Sequence, residues 1–254
     1  MLLALDVGNT NIKIGVFDGG NLLCSSRIAT DSSRMEDQYA IEINNILNIY
    51  NIICEDINGA VIGSVVPQLT DKLFNAVKHL FGIGAIIVGY NSSHNLNITI
   101  SHPEGMGADL IAGCVGAKEL YSESCIVIDM GTATKMLVID KDGYMCGGAI
   151  IPGLGISLDA LVSRAALLSS ISLDTPKNVI GSNTTECIQS GVIYGTAAML
   201  DGLCEKFENE LGYSCKVVAT GGLAKTVMQS CNKKIEFNEN LVLDGLRVIY
   251  EKSI

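Results

Sequence analysis

Apolar residues in this chain cluster in short runs, and their spacing separates strands from helices. Leu2 to Leu5 is continuously apolar, after which Ile12, Ile14 and Val16 alternate with Lys13 and Gly15. A period of two predicts two strands, joined here through the turn residues Gly8-Asn9-Thr10-Asn11. Asp18-Gly19-Gly20 forms the next turn and Leu22 to Ile28 a third strand. Tyr39, Ile43, Ile46, Leu47 and Tyr50 then fall on one face at a period of 3.6, which predicts a helix. Gly59 to Val66 and Ala85 to Val88 have the length and apolar character of buried strands, with a helix between them from Gln68 to Phe81.

The same pattern then begins again. Cys125 to Asp129 is apolar and ends in an aspartate, Gly131-Thr132-Ala133-Thr134 turns, and Met136 to Ile139 is strand-like. Asp142-Gly143 turns into a further strand that reaches Ile151. Helices are expected at Ser157 to Ala166 and at Thr184 to Leu211. A strand from Lys216 to Ala219 follows, running into Thr220-Gly221-Gly222, where another helix opens. Asp6-Val7-Gly8-Asn9-Thr10 and Asp129-Met130-Gly131-Thr132-Ala133 thus hold matching places, each closing a hydrophobic strand and opening a hairpin. The inference is an α/β chain built by duplication of a strand-hairpin-helix unit, with halves 1–115 and 116–254. No Pro/Gly/Ser-rich linker marks the boundary, so the halves are expected to pack directly on each other.

Composition narrows the function. Of the 254 residues 48% are hydrophobic and none is Trp, so Ile, Leu, Val and Ala must build the core. A net charge of -10 repels a phosphate backbone and argues against general nucleic-acid binding. Met1 leads into an apolar run containing Asp6, with neither a basic start nor a small-residue cleavage site. The uncharged stretch Gly143 to Leu158 carries five glycines and Pro152, unlike a membrane span. The nine cysteines lie far apart and form no zinc spacing or disulfide framework, which fits reduced thiols in a cytoplasm. His79, His94 and His102 do not pair at metal-ligand spacing.

A strand that ends in Asp-x-Gly before hydroxyl or amide residues suits a phosphate. Glycine admits the oxygens close to the backbone, turn N–H groups donate to them, and the aspartate can hold Mg²⁺. One such turn is ordinary punctuation. Two, each ending a strand in its own half, suggest a nucleoside triphosphate gripped in a cleft between the halves. Thr220-Gly221-Gly222-Leu223-Ala224 adds paired glycines between strand and helix, where a flat adenosine can approach. Competing nucleotide motifs are missing: there is no Gly-Lys for a P-loop, and Gly153-Leu154-Gly155 lacks the third glycine of a dinucleotide fingerprint. Transfer to an alcohol needs a base, and Asp109 is the candidate, after a Gly-rich turn at the start of a helix. The same position equally suits a helix N-terminal cap.

Asp6-Val7-Gly8-Asn9-Thr10-Asn11, Gly107-Ala108-Asp109, Asp129-Met130-Gly131-Thr132-Ala133-Thr134, Gly147-Gly148-Ala149-Ile150-Ile151-Pro152-Gly153, Asn183-Thr184, Gln189-Ser190-Gly191 and Thr220-Gly221-Gly222-Leu223-Ala224 occur in one order along the whole chain. In that series the chain resembles type III pantothenate kinases. The resemblance implies a duplicated actin-like (ribonuclease H-like) fold with a cleft between two similar halves, and a homodimer with its active site at the interface. It implies transfer of the ATP γ-phosphate to the hydroxyl of pantothenate, the first step towards coenzyme A, with Mg²⁺ and a monovalent cation, K⁺ or NH₄⁺. By position, Asp6, Val7, Gly8, Asn9, Thr10, Asn11, Ile12 and Lys13 would cradle the ATP phosphates, with Asp6 at the Mg²⁺. Thr132 would add a phosphate contact, and Gly221 and Gly222 would line the nucleotide site. Asp109 would be the general base and Asp129 the monovalent-cation ligand. Ile100, Gly107, Ala108, Asp109, Leu110 and Thr184 would line the pantothenate pocket.

Four departures from the family pattern fall on the acceptor side. Leu110 stands where the family has an arginine, which removes a bidentate partner for a carboxylate. Lys135 replaces a threonine, and Ile100 stands where relatives often have tyrosine. Arg164-Ala165-Ala166-Leu167-Leu168-Ser169 differs from the family's Arg-Ala-Ala-Lys-Leu-Pro. Either Lys135 restores the charge lost at Leu110, so that the same acid binds, or the pocket has drifted towards another acceptor or towards weak activity.

Overall fold

The computed structural model describes residues 1–94, 96–121, 124–163 and 171–254. Two compact units divide the chain: Met1–Leu120 together with Asn240–Ile254, and Tyr121–Glu239. In the first, the expected opening hairpins form β1 (Leu2–Val7), β2 (Asn11–Asp18) and β3 (Asn21–Ala29). They are followed by α1 (Glu36–Ile49), β4 (Gly59–Ser64), α2 (Pro67–Phe81), β5 (Ile86–Ile87), β6 (Asn97–Ile98) and α3 (Ala108–Tyr121). Pro67 at the first turn of α2 gives up an N–H the helix would leave unbonded, and Gly82 ends it with φ 71°. The sheet order is β3-β2-β1-β4-β5, antiparallel across β1, β2 and β3 and parallel across β1, β4 and β5.

Strand alternation sorts this unit into two faces. Leu3, Leu5, Val7, Ile12, Ile14 and Ile62 form one core with Tyr39, Ile43 and Leu47 of α1 and Leu69, Leu73 and Val77 of α2. The opposite face carries glycines instead: a Cβ at Gly15 would meet Leu243 at 2.8 Å, and one at Gly63 would meet Leu246 at 2.8 Å. Both leucines belong to the last helix, α7 (Leu241–Glu251), which lies across this sheet. Residues 240–254, expected in the second half, therefore complete the first unit. The boundary expected near residue 116 falls inside α3, where Ile111 to Ala117 are buried without a break.

The second unit holds β7 (Cys125–Met130), β8 (Ala133–Ile139), β9 (Tyr144–Pro152), α4 (Leu154–Ser163), α5 (Thr184–Leu211), β10 (Lys216–Thr220), α6 (Ala224–Met228) and β11 (Ile235–Phe237). Its strands run β9-β8-β7-β10-β11, antiparallel from β9 to β7 and parallel from β7 to β11. These five strands repeat the order and directions of the first sheet, so the duplication inferred from the two aspartate turns is present in the fold. Ile126, Ile128, Met130, Met136 and Val138 pack against Leu154, Ile193, Ala197 and Leu200 of the helices. Residues 164–170, where the helix expected to reach Ala166 ends and where the Arg164-to-Ser169 departure falls, lie outside the described residues. No helix among the described residues is long and apolar enough to cross a membrane.

Candidate active site

In the first unit Asp6 is the last polar residue of β1 on the face away from α1 and α2. The ladders set it opposite Lys13 of β2 and Gly63 of β4. Its hairpin is fixed locally. Gly8 N–H donates to the Asn11 carbonyl at 3.0 Å, and the Thr30 hydroxyl donates to the Gly8 carbonyl at 2.6 Å. Asn9, Thr10 and Asn11 are exposed, while Val7 and Ile12 are core residues, so those two can meet a ligand only through their main chain. Lys13 is 8% exposed, a charge drawn in beside the row that holds Asp6.

α3 brings Asp109 to this same end. Ala108 Cβ lies 3.7 Å from where a Gly63 Cβ would stand, and Gly63 is directly opposite Asp6. Gly107 accepts from the N–H groups of Leu110 and Ile111 and so opens the helix. A side chain at Gly107 would strike Asp109 Oδ1 at 2.5 Å and Val65 at 3.1 Å, which explains glycine there. Asp109, the second residue of α3, accepts at Oδ1 from the neighbouring Leu110 N–H at 2.8 Å. Asp109 remains partly exposed, so this bond is compatible with a reaction role. Leu110 and Ile100 are partly buried in this unit.

The second unit repeats the arrangement with different side chains. Asp129 lies opposite Lys135 of β8 and Thr220 of β10, on the face turned away from Ile126, Ile128 and Met130. Gly131 N–H donates to the Ala133 carbonyl, and Gly153 N–H to the Thr132 carbonyl, leaving the Thr132 side chain exposed. Gly221 adopts φ +96°, and a Cβ there would lie 2.4 Å from the Met130 carbonyl oxygen. Only glycine lets the β10 loop come so near the end of β7. Asp129, Thr132, Gly221 and Gly222 are thereby gathered at the carboxyl end of one sheet. Thr184 belongs to this unit too, exposed at the start of α5, where Asn183 caps the helix by accepting from Glu186 N–H.

Asp6 meets the requirements of Mg²⁺: a hard, partly exposed carboxylate at a turn of backbone N–H groups, for an ion held by one or two carboxylates plus phosphate oxygens and water. Among the described residues no cluster of three or more His, Cys, Asp or Glu forms a ready-made cage, which such an ion does not need. A separate monovalent cation at Asp129 does not fit. Lys135 Nζ stands 2.9 Å from Asp129 Oδ2. A second cation on that carboxylate would sit about 4 Å from the ammonium, a repulsion of about 4 kcal/mol at an effective dielectric of about 20. Sequence reading noticed Lys135 but not this contact; the opposed register of β7 and β8 supplies it. Gly63 was missed, and Thr220 was read only as part of its glycine turn, because the pairing of each with an aspartate across a helical connection leaves no local signal.

Comparison with known proteins gives a consistent result. The profile of the type III pantothenate kinase family matches residues 2–206. A type III pantothenate kinase of Moorella thermoacetica is 38% identical over 253 residues, covering 100% of both chains. One of Roseiflexus castenholzii is 42% identical over 252 residues, covering 99% of this chain and 98% of its own. Among solved structures, a Baf family protein of Campylobacter jejuni aligns with a TM-score of 0.61 at 20% identity over 98% of each chain. That likeness, with others at similar coverage, places the chain in the duplicated actin-like fold. On the profile match and the full-length identity, the chain belongs to the type III pantothenate kinase family.

Proposed function

We propose that this protein is an ATP-dependent pantothenate kinase, passing the γ-phosphoryl group of ATP to the hydroxyl of pantothenate at the start of coenzyme A synthesis. The observation that carries this reading is 38–42% identity over the full length to pantothenate kinases, combined with the presence of Asp6, Asp109 and the paired glycine turns. The N–H groups and exposed side chains of Gly8 to Asn11 bind the ATP phosphates, Thr132 adds a contact, and Gly221 and Gly222 admit the adenosine. Asp6 is the residue to hold Mg²⁺, which supplies charge neutralisation at the phosphates when bound. Asp109 orients the pantothenate hydroxyl and accepts its proton as the new O–P bond forms and the bond to the ADP oxygen breaks. Ile100, Gly107 to Leu110 and Thr184 belong to the acceptor pocket. The working form is a cytoplasmic homodimer with the site completed at its interface.

A coupled ADP-release assay with pantothenate tests the proposal. Wild-type protein turns over, and Asp109→Asn lowers kcat by about 10²- to 10⁴-fold while ATP affinity changes little. Turnover of the variant at the wild-type rate removes Asp109 from the base role. Leu110 favours one other reading, a different hydroxy-acid acceptor; inert pantothenate with another acid active establishes it.

A further inference from the structure

Directly opposed residues of an antiparallel pair project from the same face. In each unit a lysine faces the strand-end aspartate in this way, Lys13 opposite Asp6 and Lys135 opposite Asp129. At the second pair the ammonium is seated on the carboxylate, with Nζ 2.9 Å from Oδ2 and the side chains only 18% and 23% exposed. The pair is shielded enough to resist salt, and its position is set by β-ladder register. A lysine ammonium carries the charge of a potassium or ammonium ion and shares its preference for carboxylate oxygen. Unlike them, it cannot diffuse away.

We infer that Lys135 is a built-in monovalent cation: its ammonium supplies at Asp129 the charge a dissolved K⁺ or NH₄⁺ would carry, and the protein works without either. For the reaction affected, this rests on the kinase reading; for the ion itself it does not. It also assigns Lys135 to Asp129 and not to making good the cation absent at Leu110. Replacing Lys135 should therefore change the response to salts more than the KM for pantothenate.

The test is a set of melting curves of the full chain with Mg²⁺ and a non-hydrolysable ATP analogue. Choline chloride is exchanged for NaCl, KCl or NH₄Cl at constant ionic strength. Wild-type protein should melt within about 1 °C in all four salts, as expected where no dissolved ion binds. Lys135→Thr should gain about 3 °C or more in KCl or NH₄Cl over choline, the mark of a newly bound ion. Lys135→Met, which keeps the stem and loses the charge, separates packing from electrostatics. In the pantothenate assay, wild type should change less than about twofold on removing K⁺, and Lys135→Thr should fall about tenfold or more. Potassium-selective stabilisation of wild type overturns the inference. So do folded variants that melt alike in every salt. Should neither variant fold, wild type in choline against KCl still decides. If pantothenate is inert while the melts behave as expected, the kinase reading fails and the ion replacement stands.

Discussion

Thr134 shows how one side chain can set local stability against the demands of a site. It lies wholly buried opposite Met130, on the helix-facing side of β8, and its hydroxyl has no hydrogen-bond partner. The matching residue of the first unit is Ile12, opposite Val7, which brings no polar atom into its core. Burying an unpaired hydroxyl costs about 1–3 kcal/mol, so Thr134→Val should raise unfolding stability by about 1 kcal/mol. Urea melts check this, and an unchanged or lower midpoint counts against an orphaned hydroxyl. At the residue scale, position was legible where an aspartate lies beside a turn, as at Asp6, Asp109 and Asp129. It was hidden at Lys135, whose meaning depends on what stands across the ladder. Burial pushes the Cys204 and Cys231 thiols up to about 12, well away from thiolate.

At the scale of elements, α5 anchors the far edge of the second unit. Asp201 accepts from the N–H groups of Asn232 and Lys233, at 2.7 and 3.0 Å, and Glu208 pairs with the Lys233 ammonium. Burial tends to raise the Glu208 carboxyl, but hydrogen bonds from Lys233 and Cys215 N–H outweigh it and hold the group below its ordinary range. The hydrogen bond to Glu208 likewise raises Lys233. A lowered carboxyl stabilises the fold above its unfolded pKa and loses that contribution as pH falls through the folded value; a raised ammonium keeps its share until strongly alkaline pH. Glu208→Gln should therefore cost about 1 kcal/mol near neutrality, after allowance for solvent screening, and nothing measurable in acid. Thermal melts from pH 7 down to 3 would show the two proteins converging, and a constant gap rejects the pair as its cause. The long helix itself was read from sequence with both ends in place, because Asn183 caps one end and Gly212, at φ 80°, closes the other. β11, of three residues, was missed because so short a strand has no periodicity to detect.

For the whole molecule, the repeated aspartate turn was enough to reveal duplication, but it could not reveal which unit owns the last helix. α7 crosses α3 at backbone distance. A Cβ on Gly245 would fall 1.8 Å from the Ala112 carbonyl oxygen, and one on Gly116 would fall 2.4 Å from that of Leu241. Gly245→Ala should therefore force the two helices apart and cost about 3 kcal/mol. A denaturation midpoint within error of wild type would show that the crossing yields easily. Leu241, Leu243, Leu246 and Ile249 are fully buried at this crossing and on the sheet, so the first unit is incomplete without them. On a ribosome, residues 1–120 must therefore wait for residues 240–254. Residues 121–239, though synthesised in between, can close their own core while both flanks remain unpaired. The order of folding need not follow the order of synthesis, and the early β-hairpins stay exposed to chaperones and proteases until residues 240–254 have emerged.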